Sequence, residues 1–213
     1  MENHSHGELM NNPTESANFA AILLAAGPST RLGQPKQLVC VDGESLVRKT
    51  VRIIQAQDPV SITVVTGCQG ERVEEEIKDL PVRVARNRHW EQGMGGSIAY
   101  GARQIAETVD GLLLMVCDQW RLEKQDLASL LRTWRSDISR IYTACWNEGE
   151  AFVSAPPVVF PGNLIQELKY VLSNRGARQV IDRNIEIVEF VKMENAAFDL
   201  DRPEDLEKLA SRS

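Results

Sequence analysis

Short apolar runs alternate with amphipathic segments over most of the chain. Residues 19–24 form the first apolar run, and its length predicts a buried strand that breaks at Gly27. Residues 45–57 follow as a predicted helix, with Ser45 as its N-cap and apolar side chains at helical spacing. Further strands are predicted at 61–66, 82–85, 111–117, 138–145 and 185–191, and further helices at 73–80, 95–107, 127–134, 164–172 and 177–182.

This alternation predicts an α/β fold with three layers, in which helices cover both faces of a mainly parallel, Rossmann-like sheet. Ligands of such sheets bind beyond the carboxyl ends of the strands. The proline-bounded segment 155–161 should be extended, and the less regular C-terminal third should cover the site. Residues 1–17 are polar and aperiodic, which predicts a disordered leader before a single domain over 18–213.

Charge and composition narrow the range of functions. The net charge of −6 argues against binding nucleic acid through bulk charge. No apolar stretch reaches the ~20 residues that a membrane span requires, and the beginning of the sequence resembles no secretory signal. The four cysteines are scattered without a Cys-x-x-Cys pair, which indicates buried reduced thiols and predicts a cytoplasmic protein.

The loop after the first strand combines small residues with two cations. Gly27 and Gly33 allow a ligand to approach the backbone, Ser29 can donate a hydrogen bond, and Arg31 and Lys36 bring positive charge. This composition suits a triphosphate, although an ordinary turn with two solvated cations is the alternative. The spacing matches neither the Walker pattern nor Gly-x-Gly-x-x-Gly.

Two acidic positions are candidate Mg²⁺ ligands. Asp118 directly follows an apolar run, so it should lie at the carboxyl end of a strand. Mg²⁺ binds through one or two carboxylates together with phosphate oxygens and water. The segment 199–205 carries further carboxylates, and the family resemblance set out below implies a second ligand there, Asp201 or Asp199, of which we favour Asp201. On the residues alone Asp118 fits a turn equally well, and Asp201 with Glu204 and Pro203 also fits a helix cap.

A glycine-rich segment precedes the predicted helix at 95–107. Gly93, Gly95 and Gly96 are followed by Ser97, which leaves backbone amides available to a planar hydrogen-bond acceptor. Such amides can read the edge of a nucleobase without large side chains.

The pattern LAAGxSxRxGxxKQL over residues 24–38 resembles the signature of nucleotidyltransferases that bind an NTP and release pyrophosphate. The similarity is greatest to the molybdenum cofactor cytidylyltransferases. The resemblance implies that Lys36 and Arg31 are the catalytic cations and that Asp118 and Asp201 hold Mg²⁺. It implies nucleotide contacts from Leu24, Ala25, Ala26, Gly27, Gly33, Lys36, Gly93 and Ser97.

Other motifs extend the resemblance and depart from it. Residues 117–119 resemble the metal-binding turn of that family, but Trp120 stands where proline is usual. Residues 155–161 and 174–178 resemble the motifs on the acceptor side, but Asn174 stands where aspartate is usual and Ser173 where glycine is usual. The departures therefore lie towards the acceptor.

The resemblance implies transfer of CMP from CTP to the molybdenum cofactor, with a molybdoenzyme as a partner that receives the product. Ala26 favours CTP over GTP, because the cytidylyl branch has Ala-Ala-Gly in this loop. The departures keep two alternatives open. One is a carrier or chaperone of the cofactor that binds NTP, and the other is a nucleotidyltransferase for a sugar or alcohol phosphate.

Overall fold

The computed structural model of the protein describes residues 17–171 and 175–210. Its strands are β1 (Phe19–Ala25), β2 (Cys40–Val41), β3 (Glu44–Ser45), β4 (Ser61–Thr66), β5 (Arg83–Arg86), β6 (Gly111–Val116), β7 (Ile141–Glu148), β8 (Ala151–Pro161) and β9 (Val188–Lys192). Its α-helices are α1 (Leu46–Gln55), α2 (Gly70–Glu76), α3 (Met94–Arg103), α4 (Lys124–Ser136), α5 (Ile165–Leu168), α6 (Arg178–Arg183) and α7 (Pro203–Ala210).

The main sheet has seven strands in the order β5-β4-β1-β6-β8-β7-β9. Strands β5, β4, β1 and β6 pair in parallel. Strand β8 runs antiparallel to both β6 and β7, and β9 pairs in parallel with β7. The prediction of a mainly parallel sheet is confirmed, because β8 alone reverses direction within it.

The central strand β1 is buried on both faces, as expected of a strand inside a parallel sheet. Phe19, Ala21 and Leu23 pack into a core with side chains of α1 and α4. Ala20 and Ile22 point to the other face, where side chains of α3 and α5 cover them. Helices therefore lie on both faces of the sheet, and the predicted three layers are confirmed.

Several element boundaries differ from the prediction. Strand β7 begins at Ile141 rather than at residue 138, because the Asp137 carboxylate accepts a hydrogen bond from the Ser139 amide and closes a turn there. Helix α3 ends at Arg103, four residues early, and α5 comprises only four residues. Leu172 of that predicted helix lies outside the described residues, as do residues 1–16 of the predicted leader and the departures at 173 and 174.

The prediction contained no counterpart of β2 and β3, which form a separate antiparallel ribbon. Asp42 and Gly43 connect the two strands with φ of 54° and 86°. Two positive φ values in succession characterise the tight turns of two-residue hairpins, for which Asp-Gly is a strong sequence signal. No helix within 17–171 and 175–210 is long and apolar enough to cross a membrane.

Candidate functional site

The loop that follows β1 folds back on itself through hydrogen bonds to Gln37. The buried side-chain amide of Gln37 donates to the carbonyl oxygens of Ala25 (3.1 Å) and Gly27 (2.8 Å). The hydroxyl of Ser29 accepts from the Lys36 amide at 3.1 Å. Gly33 has a φ of 75°, which favours glycine, and its amide donates to the Ser29 carbonyl. These contacts fix the loop and direct Lys36 towards the sheet.

A cavity lies between this loop, the beginning of α3 and the end of β6. Its lining includes Ala26, Gly27, Lys36, Ser97 and Asp118. A Cβ atom added to Gly27 would meet no atom within 4 Å, so the absence of a side chain there leaves open space. The structure therefore brings together residues that were predicted separately in three segments of the sequence.

The other predicted nucleotide contacts differ in whether they line this cavity. Leu24 is among its lining residues, whereas Ala25, Gly33 and Gly93 are not. The Ala25 side chain is 1% exposed and packs into the core on one face of the sheet. Gly93 caps α3 with a φ of 100°. Ser97 is buried, and its hydroxyl accepts a hydrogen bond from the side-chain amide of Asn87 (Nδ2) at 3.0 Å.

The predicted cations and carboxylates form a cluster of ion pairs. The Lys36 Nζ lies 2.5 Å from Asp118 Oδ2 and 3.5 Å from Asp201 Oδ1. Arg31 is exposed, and its Nη1 lies 2.6 Å from Asp201 Oδ2. Burial lowers the pKa of Lys36, but the Asp118 carboxylate outweighs it, and the pKa is raised above its ordinary 10.5. Lys36 is therefore a permanent cation within this cluster.

A short antiparallel bridge joins the segment after β6 to the segment before α7. The Leu200 amide donates to the Asp118 carbonyl at 2.8 Å, and the Trp120 amide donates to the Phe198 carbonyl at 3.1 Å. Gln119 lies opposite Asp199 in this bridge. The bridge holds both acidic segments at the carboxyl end of β6.

The alternative that Asp201 and Glu204 form a helix cap does not match the contacts. The Asp205 carboxylate accepts from the amides of Asp201 and Arg202, at 3.1 Å and 2.9 Å. Asp205 therefore fills the capping role for α7, and the Asp201 carboxylate is engaged by Arg31 and Lys36.

Asp199 has the most perturbed carboxyl group of the cluster. The residue as a whole is exposed, but neighbouring protein desolvates its carboxyl group, and this desolvation together with repulsion from Asp118 raises its pKa to about 7. Between pH ~4 and 7 the folded state therefore binds more protons than the unfolded chain does, and stability falls as the pH rises through this window.

The carboxylates have the chemistry required to hold a divalent cation. Asp118 Oδ1 is buried and has no hydrogen-bond partner among the described residues. The described parts of the chain contain no group of three or more His, Cys, Asp or Glu residues with metal-site geometry. Mg²⁺ in nucleotide sites needs only one or two carboxylates, because phosphate oxygens and water complete its shell. The residues present therefore fit such an ion.

Trp120, the departure from the resembling motif, is a buried core residue. It is 1% exposed and belongs to a cluster with Leu32 of the loop, Leu46 of α1 and Leu200. Its ring also meets Phe198 edge to face, at a centroid distance of 6.1 Å. Trp120 thus joins the cationic loop to the second acidic segment through apolar contacts.

Sequence reasoning missed three polar side chains that support the site. Gln37 holds the loop, Gln119 donates to two backbone carbonyls, and Lys49 donates from α1 to the Trp120 carbonyl at 2.8 Å. All three act through backbone groups, which leave no pattern in the sequence. The available signal was their place in the sequence, since Gln37 and Gln119 stand inside the motifs at 24–38 and 117–119, and Lys49 lies in the predicted helix at 45–57.

A parallel α/β sheet with a cationic glycine loop and paired carboxylates at one edge defines a protein of the nucleotide-binding α/β class. The chain belongs to the MobA-like NTP transferase domain family, whose model matches residues 21–188. The predicted resemblance to nucleotidyltransferases is confirmed at this level.

Curated relatives share part of the sequence. Over 127 residues the chain is 32% identical to the bifunctional protein GlmU of Streptomyces griseus subsp. griseus. The aligned region covers 57% of this chain and 26% of GlmU. Over 132 residues the chain is 33% identical to a probable molybdenum cofactor guanylyltransferase of Synechococcus elongatus, and the aligned region covers 60% of this chain and 62% of that relative. The chain thus matches about a quarter of the length of GlmU.

Solved structures share the fold over nearly the whole chain. Rv0371c from Mycobacterium tuberculosis H37Rv superposes with a TM-score of 0.79 at 19% identity, covering 92% of this chain and 98% of that one. A nucleotidyl transferase from Methanothermobacter thermautotroptrophicus gives 0.73 at 19% identity, covering 92% and 97%. At these identities the likeness shows the fold.

Proposed function

We propose that the protein is a divalent-metal-dependent nucleotidyltransferase that transfers a nucleotide from an NTP to a phosphate acceptor and releases pyrophosphate. The observation that carries the proposal is the pairing of Lys36 with Asp118 beside an open, glycine-lined cavity. Cations on the loop suit the triphosphate, and carboxylates on the sheet suit the metal. Membership of the MobA-like family supports the same class of reaction.

In the proposed reaction an oxygen of the acceptor phosphate forms a bond to the α-phosphorus. The bond between that phosphorus and the bridging oxygen breaks, and pyrophosphate leaves with the electron pair. Lys36 and Arg31 would neutralise negative charge on the triphosphate, and the fixed loop would position it in line with the acceptor. The protein contributes positioning and charge, and no covalent intermediate is required.

The Mg²⁺ ion would be held by Asp118 together with Asp201 or Asp199. A bound divalent ion supplies charge neutralisation and orientation of the phosphate oxygens. Asp201 already contacts Lys36 and Arg31, whereas the pKa of Asp199 is raised by desolvation and by repulsion from Asp118. Binding of Mn²⁺ to Asp199→Asn and to Asp201→Asn separates the two choices, because loss of the true ligand weakens binding more.

We propose CTP as the nucleotide and the molybdenum cofactor as the acceptor, with a molybdoenzyme receiving the product. The Ala-Ala-Gly sequence supports CTP, and Ala26 lines the cavity. A Cβ added to Gly67 would lie 2.9 Å from the Ala26 methyl, so this wall is already closely packed. The Synechococcus elongatus relative, a probable guanylyltransferase, supports the same acceptor and makes GTP the competing nucleotide.

Pyrophosphate release with Mg²⁺ tests the proposal directly. The protein is incubated with CTP or GTP and with molybdenum cofactor, or with sugar and alcohol phosphates in its place. Asp118→Asn is the matched control, because it removes one charge and keeps the shape of the side chain. Release with sugar or alcohol phosphates alone would reassign the acceptor. Tight binding of nucleotide and cofactor without any release would make the protein a carrier.

A further inference from the structure

The side chain of Gln119 connects three segments of the chain around the acidic cluster. Its Nε2 donates to the Pro156 carbonyl in β8 at 2.7 Å and to the Ala196 carbonyl at 2.9 Å. Both hydrogens of the amide are therefore used. The residue is 5% exposed, and its Oε1 is buried without a hydrogen-bond partner among the residues described.

These hydrogen bonds resist a repulsion that the cluster creates. Lys36 lies between Asp118 and Asp201, at 2.5 Å and 3.5 Å. Asp199 lies in the bridge opposite Gln119, the residue that follows Asp118, and has no ion pair among the described residues. Like charges at Asp118 and Asp199 favour separation of the segments that carry them. Two backbone hydrogen bonds join the segments directly. Gln119 adds a third connection, because it extends from the segment after β6 that carries Asp118 to Ala196, just before the second segment.

We propose that Gln119 is a positioning residue that fixes the spacing between Asp118 and the carboxylates at 199 and 201, and so sets the affinity for the divalent metal. The part concerning the metal rests on the proposed function. The part concerning the spacing rests on the two hydrogen bonds alone. Hydrogen-bond partners of metal ligands typically change the affinity for the metal by ten- to hundredfold. Gln119 acts one step further away, through backbone carbonyls of the segments around the ligands, so we take this range as the upper bound of the expected effect.

Gln119→Met tests the role without introducing charge. The substitution keeps the length of the side chain and removes both N–H donors of the amide. Loss of the Oε1 acceptor leaves no other group in the described residues without a partner, because Oε1 accepts no hydrogen bond there. Gln119→Asn is the second variant, since it keeps the amide but is too short to reach both carbonyls. Gln57→Met is the matched control, because Gln57 also donates to two backbone carbonyls, those of Ile53 and Lys124, away from the site.

Two measurements are made on each full-length variant. Binding of Mn²⁺, followed by electron paramagnetic resonance in the presence of NTP, should weaken by more than twofold, and at most ten- to hundredfold, in both Gln119 variants and by less than twofold in Gln57→Met. Hydrogen exchange of the Leu200 amide, which donates to Asp118, should accelerate at least tenfold in the Gln119 variants only. Melting temperatures identify any general loss of stability.

The two readouts distinguish failure of this inference from failure of the proposed function. If the wild-type protein binds no Mn²⁺, the proposed metal is wrong, and exchange at Leu200 still decides whether Gln119 fixes the spacing. Unchanged exchange at Leu200 in folded Gln119→Met or Gln119→Asn would overturn the inference. Weaker Mn²⁺ binding of equal size in Gln57→Met would do the same, because the effect would then be one of general stability.

Discussion

Replacement of Lys36 by methionine should change metal binding and turnover in opposite directions. In the structure the Lys36 ammonium lies 2.5 Å from Asp118 Oδ2, so its positive charge lies beside the carboxylate that the proposed metal would use. A divalent cation must therefore compete with this lysine when no nucleotide is present. Once a triphosphate is bound, the same ammonium has a second partner, and its loss should impair catalysis.

The size of both effects follows from the geometry. The side chains of Lys36 and Asp118 are only 15% and 17% exposed, so solvent screens this pair incompletely. Neighbouring unit charges near a protein surface interact by about 4 kcal/mol at 4 Å. Movement of the lysine and residual solvent reduce this value, so we expect ten- to hundredfold tighter Mn²⁺ binding without NTP, or about 1.4 to 2.8 kcal/mol. Turnover should fall about 10²- to 10³-fold, as on loss of one preorganised donor.

Titration with Mn²⁺ in the absence of NTP measures the first effect, and pyrophosphate release measures the second. Lys36→Arg keeps the charge, so its Mn²⁺ affinity should stay near wild type, while a guanidinium of different shape should not restore full turnover. Lys78→Met is the surface control, because Lys78 pairs with Glu75 far along the chain from this cluster and is 66% exposed. Weaker or unchanged Mn²⁺ binding in Lys36→Met would refute competition between lysine and metal.

Three further outcomes follow from the structure. Asp199→Asn should raise the melting temperature more at pH 8 than at pH 5, because the Asp199 carboxyl group, with a pKa of about 7, is charged and unfavourable in the folded protein only at the higher pH. An equal gain at both pH values would contradict this. Burial raises the pKa of Cys117 to about 12, so iodoacetamide at pH 8 should modify exposed Cys40 and leave Cys117 intact in the folded protein, as mass spectrometry can check. In competition assays Ala26→Gly should shift an expected ten- to two-hundredfold preference for CTP towards GTP, and an unchanged ratio would exclude this methyl group as the discriminator.

Much of the fold could be predicted because its central strands have a pattern that does not depend on context. Residues 61–66 were predicted as a strand and form β4 with the same bounds, and Ser45 was predicted as an N-cap and accepts a hydrogen bond from the Arg48 amide. Boundaries were less accurate where a side chain ends an element. At Asp137, for example, the side-chain carboxylate closes a turn before β7, but in the sequence an aspartate at this position is equally compatible with the beginning of a strand.

The site was predictable at the residues whose chemistry is visible in the sequence. Lys36, Asp118 and Asp201 were chosen as charged residues next to strand or helix ends, and the structure brings them together. The support beneath them was not predictable. Trp120 gave only a departure from a motif, and its packing against Leu32 depends on contacts between distant segments.

The reversed strand β8 separates the carboxyl ends of two strands that run in the same direction. It separates β6 from β7 by one strand position, yet β7 and β9 still run in the direction of β6. Seven strands spaced about 4.8 Å apart give the sheet an edge roughly 29 Å long. The loop after β1 and the carboxylate after β6 belong to the third and fourth of these seven positions, so the site lies at the centre of that edge. The carboxyl ends of β6 and β7 therefore lie two strand spacings, or about 10 Å, apart, with the beginning of β8 between them.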